Sequence, residues 1–180
     1  MRITKENTVG LVIDIQERLF PVMWEKENLL KNCAILLNGL KELSVPTIVT
    51  QQYTKGLGET LPGIKTTIAD FDYVEKHDFS CCDEPKVVEK LKISGAENVI
   101  ICGIESHVCV LQTAVDLKEA GLNPLVVMDC VSSRSKESID TAKERFRYEG
   151  IMMTSYESIL FELTRTAGAP EFRAISKLVK

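Results

Sequence analysis

The stretch Val99-Ile-Ile-Cys-Gly-Ile-Glu-Ser-His-Val-Cys-Val110 decides the fold. Its apolar first part has the length and composition of a buried strand, and Gly103 marks a sharp turn after it. The residues from Ser106 to Ala120 then predict a helix that carries Cys109 in its first turn. A thiol at the amino end of a helix is expected to have a lowered pKa, and the free N–H groups there can bind an anion. A buried structural cysteine is the alternative interpretation.

The rest of the chain continues this alternation of strand and helix. Six apolar segments of strand length are separated by segments in which apolar residues have helical spacing. The predicted strands are Val9–Ile15, Thr47–Thr50, Tyr73-Val74, Asn98–Cys102, Leu125–Met128 and Ile151–Met153. This pattern predicts an α/β protein, a three-layer α/β/α sandwich that forms a single domain over residues 1–180. Its central sheet is expected to be mainly parallel, with about six strands in the order 3-2-1-4-5-6.

Composition argues against several classes of function. The chain has 180 residues, a formal net charge of −4 and no basic run, so nucleic-acid binding has no electrostatic support. No apolar segment is long enough to span a membrane, and the polar N-terminus shows no export signal. We therefore expect a cytoplasmic protein that does not bind membranes. Its six cysteines are expected to be free, because disulfides are rare in that compartment.

Three chemically distinct side chains lie at the ends of three predicted strands. Asp14 lies near the end of the first, Lys76 follows the third and Cys109 follows the fourth. With the expected strand order, Asp14 and Cys109 face one crevice beyond the carboxyl ends of neighbouring strands. A carboxylate beside a thiol can take its proton, and an ammonium stabilises the resulting charge. The alternatives are that Asp14 caps a turn or pairs with Arg18, and that Lys76 is a solvated surface lysine.

The two histidines offer a competing cysteine–histidine pair. His107 lies two residues before Cys109, which places the two side chains on different sides of a helix, and His77 lies beside Lys76. A site of cysteine, aspartate and lysine is therefore favoured. No metal and no cofactor are expected, because the chain has only two histidines, no Cys-x-x-Cys pair and no glycine-rich phosphate-binding motif.

Three spaced motifs resemble those of the isochorismatase-like cysteine hydrolase family. They are Asp-x-Gln at Asp14 and Gln16, Lys-x-x-Phe-Ser at Lys76, Phe79 and Ser80, and Gly-Ile-x-x-x-x-Cys-Val at Gly103, Ile104, Cys109 and Val110. The segments 50–58 and 157–163 resemble one branch of the family in particular, the isochorismatase-domain proteins of undefined substrate. The resemblance covers nearly the whole chain.

The resemblance implies a cysteine-dependent hydrolase of a small amide or a related C–N or C–O bond. It implies that Asp14 is the base, that Lys76 stabilises charge, and that Cys109 attacks the carbon and forms a covalent adduct that water then hydrolyses. It also implies a non-proline cis peptide bond between Ile104 and Glu105. That turn would aim the N–H groups of Glu105 and Cys109 at the oxyanion.

The chain departs from two groups of relatives in ways that bear on the substrate. The segment 50–53 has no histidine, which argues against a zinc-dependent nicotinamidase. The cysteine is kept, whereas true isochorismatases often lack it, which argues against isochorismate as the substrate. The side chains expected to line the substrate pocket, from their places near strand ends, are Gln16, Gln52, Tyr53, Phe79 and His107.

Two other functions remain open at this point. The chain could be a non-catalytic scaffold or binding protein on the same fold. It could also be a thiol redox sensor that pairs Cys109 with Cys81 or Cys82, although neither has the usual spacing of such a pair.

A homo-oligomer, a dimer or a larger assembly, is also expected. Related proteins assemble, and the C-terminal segment 170–180 predicts an amphipathic helix with Phe172, Ile175 and Leu178 on one face. The alternative is that this face packs on its own domain.

Overall fold

The computed structural model describes residues 2–180, which form a central six-stranded sheet with helices on both faces. The five pairings between its strands are all parallel, and the strand order is β3-β2-β1-β4-β5-β6. The strands are β1 Thr8–Ile13, β2 Thr47–Gln52, β3 Val74–Lys76, β4 Asn98–Ile104, β5 Asn123–Ser132 and β6 Met152–Thr154. The predicted fold class and strand order are confirmed.

The helices follow the strands in the alternation that the sequence predicts. The α-helices are α1 Lys26–Glu42, α2 Thr54–Leu57, α3 Pro62–Lys65, α4 Pro85–Ser94, α5 Leu111–Glu119, α6 Lys136–Tyr148, α7 Tyr156–Thr164 and α8 Phe172–Leu178. Short 3-10 helices cover Lys5–Asn7, Phe20–Val22 and Cys81–Asp83. No helix of residues 2–180 is both long and apolar enough to cross a lipid bilayer.

The sheet is buried on both faces, which explains why its central strands are apolar at nearly every position. Every residue of β1 and of β4 is buried. On one face α1, α7 and α8 supply the core, with Leu36 and Leu160 completely buried. On the other face α4, α5 and α6 supply it, with Ala114 and Phe146 completely buried. This two-sided burial is typical of parallel sheets in α/β proteins.

Element boundaries differ from the sequence prediction where polar residues end or continue a strand. β1 ends at Ile13 because Asp14 adopts the left-handed conformation, with a φ of 53°. β3 includes Lys76, and β5 continues to Ser132, past the predicted end at Met128. The predicted helix from Ser106 to Ala120 begins with a π-helix at Ser106–Val110 before α5. Cys109 therefore lies in a wider turn than expected.

The apolar face of the C-terminal helix packs on its own domain. Ile175 of α8 is completely buried in the core beneath α1, and the ring of Phe172 lies 6.3 Å from that of Phe161. Leu178 packs against the same core. The face that suggested an oligomer is therefore used within the domain, and a homo-oligomer stays a prediction.

Gly103 allows β1 and β4 to approach each other at the edge of the sheet that bears Asp14. Its φ is +130°, and a Cβ atom at this position would lie 2.1 Å from the carbonyl oxygen of Ile13. An alanine would therefore meet both an unfavourable backbone conformation and a collision with rigid backbone.

We expect Gly103→Ala to lower the free energy of unfolding by more than about 3 kcal/mol, because strain and overpacking add. Gly95→Ala is the matched control: Gly95 has a φ of +62°, but no heavy atom lies within 4 Å of the position that a methyl group would occupy. That variant should lose only about 1 kcal/mol. Urea unfolding followed by circular dichroism measures both, and equal losses would contradict the close approach described above.

Candidate active site

A completely buried ion pair forms the centre of the candidate site. Asp14 follows β1 and Lys76 ends β3, and Nζ of Lys76 lies 2.7 Å from Oδ2 of Asp14. Strands β1 and β3 flank β2, and the two side chains meet because parallel strands bring their carboxyl ends to one edge of the sheet. Both side chains are 0% exposed, so neither charge is stabilised by bulk water.

Neighbouring groups hold both members of this pair in place. The hydroxyl of Thr50 donates a hydrogen bond of 2.7 Å to Oδ1 of Asp14. The Lys76 ammonium donates to the backbone carbonyls of Asp78 at 3.0 Å and Phe79 at 3.1 Å. An ammonium has three N–H groups, and all three of those on Lys76 thereby have acceptors. The pair is therefore held by three further polar groups, one on β2 and two in the loop after β3.

Cys109 reaches the same centre from the fourth strand. It lies in the π-helix that follows β4, is 5% exposed, and interacts electrostatically with the carboxylate of Asp14. Its thiol also donates to Oε1 of Gln52, at an Sγ–Oε1 distance of 3.4 Å. The structure thus brings together the three side chains that the sequence singled out, Asp14, Lys76 and Cys109.

The expected lowering of the Cys109 pKa by the helix end is wrong. Burial and the negative charge of Asp14 together raise the pKa of this thiol to about 12, although the ammonium of Lys76 lowers it in part. Because a buried thiolate loses its hydration, the neutral thiol is the resting form. The sulfur therefore needs a base before it can act as a nucleophile.

Burial also raises the pKa of Asp14 above its ordinary value of 3.8, although Lys76 and Thr50 oppose the shift. For Lys76, burial alone would lower the pKa, but Asp14, Cys81 and Cys109 outweigh it, and the net pKa is raised above 10.5. A carboxyl group with a raised pKa is a stronger base than an ordinary aspartate. The ammonium remains charged beside it at neutral pH.

The turn that carries Cys109 is held by polar contacts to the loop after β5. The peptide bond between Ile104 and Glu105 is cis, as the resemblance implies. The Glu105 carboxylate accepts hydrogen bonds from N and Nε of Arg134, at 3.2 and 3.1 Å. Nδ1 of His107 lies 2.9 Å from the hydroxyl of Ser133. His107 is therefore engaged with Ser133, and its bond there supports no cysteine–histidine pair.

Gln16 has its whole side-chain amide engaged with the backbone. Its Nε2 donates to the carbonyls of Gln52 at 3.0 Å and Gly58 at 2.7 Å, and its Oε1 accepts from the N–H of Gln52 at 2.7 Å. The side chain is completely buried and bonds to residue 52 much as a neighbouring strand would. It has no free donor for a substrate, so its place in the structure indicates a positioning role.

The other predicted pocket residues lie around the site at different depths. Gln52 is half-buried and touches the thiol, whereas Tyr53 and Phe79 are about half exposed, at 48% and 52%. The ring of Tyr53 lies 5.9 Å from that of His77. The two aromatic side chains therefore belong to the surface around the site and do not contact the ion pair in this structure.

Two further residues lie at the centre: Thr50, which the sequence analysis did not single out, and Cys81, which it considered only as a redox partner of Cys109. Thr50 is the last residue of the second predicted strand, and its polar side chain beside Asp14 follows from the strand order. Cys81 is completely buried, with its Sγ 3.9 Å from Oγ1 of Thr50, and it interacts electrostatically with Asp14 and Lys76. The sequence does not distinguish Cys81 from its neighbour Cys82, and only the fold shows which of the two lies at the centre.

The described residues offer no evident metal centre. Among residues 2–180, no group of three or more histidine, cysteine, aspartate or glutamate side chains is arranged to hold a metal ion. That the protein works without a metal or a cofactor stays a prediction.

The topology and the centre define a doubly wound α/β protein whose polar groups gather at the carboxyl edge of its sheet. The model of the isochorismatase domain matches residues 8–158, and the chain belongs to that family. The match contains all six strands, so the family assignment rests on the whole sheet.

Relatives from distant organisms resemble the chain over nearly its full length. It is 37% identical to the secreted isochorismatase effector Isc1 of Phytophthora sojae, over 99% of this chain and 87% of that protein. It is 36% identical to isochorismatase domain-containing protein 2 of Danio rerio, over 99% and 89%. Among solved structures, the MAR1 ribonuclease of Caenorhabditis elegans has a TM-score of 0.94 and 38% identity, with 99% and 92% covered.

Lys76→Met should lower the free energy of unfolding by about 3–5 kcal/mol at about pH 8, because it leaves a buried carboxylate without its partner. Without the ammonium, the folded-state pKa of Asp14 lies still further above its unfolded value. The loss is therefore largest above that pKa and diminishes as the pH falls through it. Urea unfolding at about pH 8 and about pH 5 measures the difference.

Lys90→Met is the control for removing a lysine from an ion pair. Lys90 and Asp72 form an exposed pair at 3.3 Å, and its loss should cost less than about 1 kcal/mol at either pH. A Lys76→Met variant as stable as this control would show that Asp14 and Lys76 are not a buried, mutually dependent pair.

Proposed function

We propose that the chain is a cysteine-dependent hydrolase of small amides or related C–N and C–O bonds. The observation that carries the proposal is that one buried carboxylate, Asp14, pairs with the ammonium of Lys76 at 2.7 Å and interacts electrostatically with the thiol of Cys109. The isochorismatase domain supports a hydrolase in general, and the roles of Asp14, Lys76 and Cys109 are the more specific part of the proposal.

In the first half of the reaction, Asp14 accepts the proton of the Cys109 thiol as the sulfur attacks the carbonyl carbon. A C–S bond forms, and the carbonyl π electrons move to the oxygen. The N–H groups of Glu105 and Cys109 would receive that oxyanion, and Lys76 keeps the charge of the centre balanced. Asp14 then returns its proton to the leaving nitrogen as the C–N bond breaks, which leaves a thioester on Cys109.

In the second half, Asp14 takes a proton from a water molecule whose oxygen attacks the thioester carbon. The C–S bond breaks, a carboxylic acid leaves, and the proton returns to the sulfur. The same carboxylate acts as base and acid in turn, which suits a group whose pKa is raised above that of ordinary aspartates.

The geometry favours a small substrate. Cys109 is only 5% exposed, so the carbon under attack has to enter a narrow opening. Tyr53 and Phe79 offer exposed aromatic surface near that opening, and they are the proposed contacts for the rest of the substrate. Gln52 and His107 are further candidates for contact with the substrate.

The test is a panel of small amides and esters assayed with wild type, Cys109→Ala and Asp14→Asn. We expect turnover by wild type and a fall of at least about 1000-fold in kcat/KM for Cys109→Ala. Cys82→Ala is the matched control, because Cys82 is a partly exposed thiol with no contact to the ion pair and should keep full activity. Intact mass spectrometry would show the acyl adduct on Cys109.

Turnover that survives in both Cys109→Ala and Asp14→Asn would refute the mechanism. No turnover and no adduct across the panel would favour the alternative of a non-catalytic scaffold. An RNA substrate belongs in the panel because a structural relative is named a ribonuclease. The proposal predicts that this chain does not cleave RNA in a Cys109-dependent way, in keeping with its net charge of −4.

In a plot of kcat/KM against pH, the fall in activity on the acidic side, the acidic limb, should report the ionisation of Asp14. Because the base has to be ionised, activity falls as the pH drops through its pKa, and this limb should lie above the ordinary aspartate value of 3.8. Any residual activity of Asp14→Asn should lack the limb. An unchanged limb in that variant would assign the base to another group.

A thiol redox sensor is the second candidate, and the position of Cys81 is the observation in its favour. Cys81 and Cys109 act on the same ion pair, whereas Cys82 does not. Mild hydrogen peroxide followed by non-reducing peptide mapping tests it. A Cys81–Cys109 disulfide would support the sensor, whereas hydrolysis without that disulfide supports the hydrolase.

A cytoplasmic location, a homo-oligomeric state and the absence of a nucleic-acid partner remain predictions. One relative is named as a secreted protein, so location varies among the proteins that the chain resembles.

A further inference from the structure

We propose that Gln52 is a positioning residue that holds the Cys109 thiol in its protonated form until substrate enters. The inference rests on the proposed role of Cys109 as nucleophile, but it concerns a different step, the state of the sulfur before catalysis. Its basis is the pair of hydrogen bonds that the Gln52 side chain makes: it donates one to a backbone carbonyl and accepts the other from the thiol.

The first partner fixes which way the amide points. Nε2 of Gln52 donates to the backbone carbonyl of His77 at 3.3 Å, and a carbonyl can only accept. The amide oxygen is therefore directed to the other side, where Cys109 lies. Rotating the amide by half a turn would place two oxygens against each other at His77.

The second partner is the thiol. Sγ of Cys109 lies 3.4 Å from Oε1 of Gln52, and an oxygen acceptor at this position stabilises S–H and destabilises S⁻. Three titratable groups also act on this sulfur: Asp14 after β1, Lys76 at the end of β3, and Cys81 in the 3-10 helix that follows. Gln52 is the neutral acceptor that competes with Asp14 for the thiol proton.

The backbone of Gln52 is also held in place. Gln16 bonds to both its N–H and its carbonyl, and residue 52 pairs with residue 76 in the sheet. The backbone from which the acceptor oxygen extends is thus held by the same part of the sheet that carries the ion pair. A movement that draws the thiol away from it leaves Asp14 as the remaining acceptor, and proton transfer to the base can follow.

The test measures alkylation of Cys109 in the full chain, with Gln52→Met and Gln52→Glu compared with wild type. Both side chains are close to glutamine in length, but methionine removes the oxygen acceptor and glutamate adds a negative charge. Well below the thiol pKa, the alkylation rate is proportional to the fraction of thiolate. We expect about 3- to 10-fold faster labelling of Gln52→Met and at least about 10-fold slower labelling of Gln52→Glu, at about pH 8.

Two reagents of different size, iodoacetamide and N-ethylmaleimide, separate thiol ionisation from access. A change in the thiolate fraction alters both rates by the same factor, whereas a change in access affects the larger reagent more. Gln112→Met, at an exposed position on α5, controls for the substitution itself and should label like wild type. Circular dichroism confirms that each variant is folded.

Slower labelling of Gln52→Met, or labelling of Gln52→Glu as fast as wild type, would overturn the proposal. So would equal behaviour of the Gln52 and Gln112 variants. The outcome is independent of hydrolysis: the expected order of labelling without any amide turnover would refute the proposed function alone. Turnover without the expected order would refute the role of Gln52 alone.

Discussion

The buried ion pair between Asp14 and Lys76 is the constraint on which the rest of the site depends. Removing two charges from water costs several kcal/mol for each ion, and the pair persists only where geometry and further hydrogen bonds compensate. Here Thr50 and the carbonyls of Asp78 and Phe79 supply those bonds. A carboxylate after β1 and an ammonium at the end of β3 meet here because the two strands are parallel and end at the same edge of the sheet, on either side of β2. The geometry of the site therefore depends on the order and the parallel direction of the strands.

The same pair determines how the sulfur can react. Because burial and Asp14 together raise the pKa of Cys109 to about 12, the resting site holds a neutral thiol next to the pair of Asp14 and Lys76. In the proposed reaction, transfer of the thiol proton to Asp14 before attack would be uphill, so we expect it to be coupled to formation of the C–S bond. A helix-end thiolate, as the sequence alone suggested, would react with any electrophile that reached it. A protonated thiol beside a base reacts only when a correctly placed electrophilic carbon accepts the sulfur electron pair while the base takes the proton.

The sequence predicts the parts of this protein that depend on periodicity and on strand ends. Six strands follow from apolar runs interrupted by polar residues. Given the strand order that is usual for doubly wound sheets, Asp14, Lys76 and Cys109 are expected to gather at one edge because each lies at a strand end. The pKa of Cys109 does not follow, because it depends on how deeply the π-helix at Ser106–Val110 is buried. The sequence also could not predict that the Gln16 amide bonds to the backbone, because a glutamine that faces a substrate looks the same in the sequence. The C-terminal helix shows the same ambiguity, because an apolar stripe does not say which surface it covers.

The distribution of roles along the chain has a consequence for specificity. Strands β1, β2 and β3 position the two charges, and the turn after β4 carries Cys109, so the proposed reacting centre is built from elements that the sheet holds in place. Tyr53, Phe79 and His107 lie on the connections that follow those strands, where side chains can change without disturbing the ion pair. Loops on a rigid scaffold are the usual place for such variation. The buried ion pair would therefore stay the same while the residues on the connections vary. This division would allow one reaction mechanism to act on substrates of different shape.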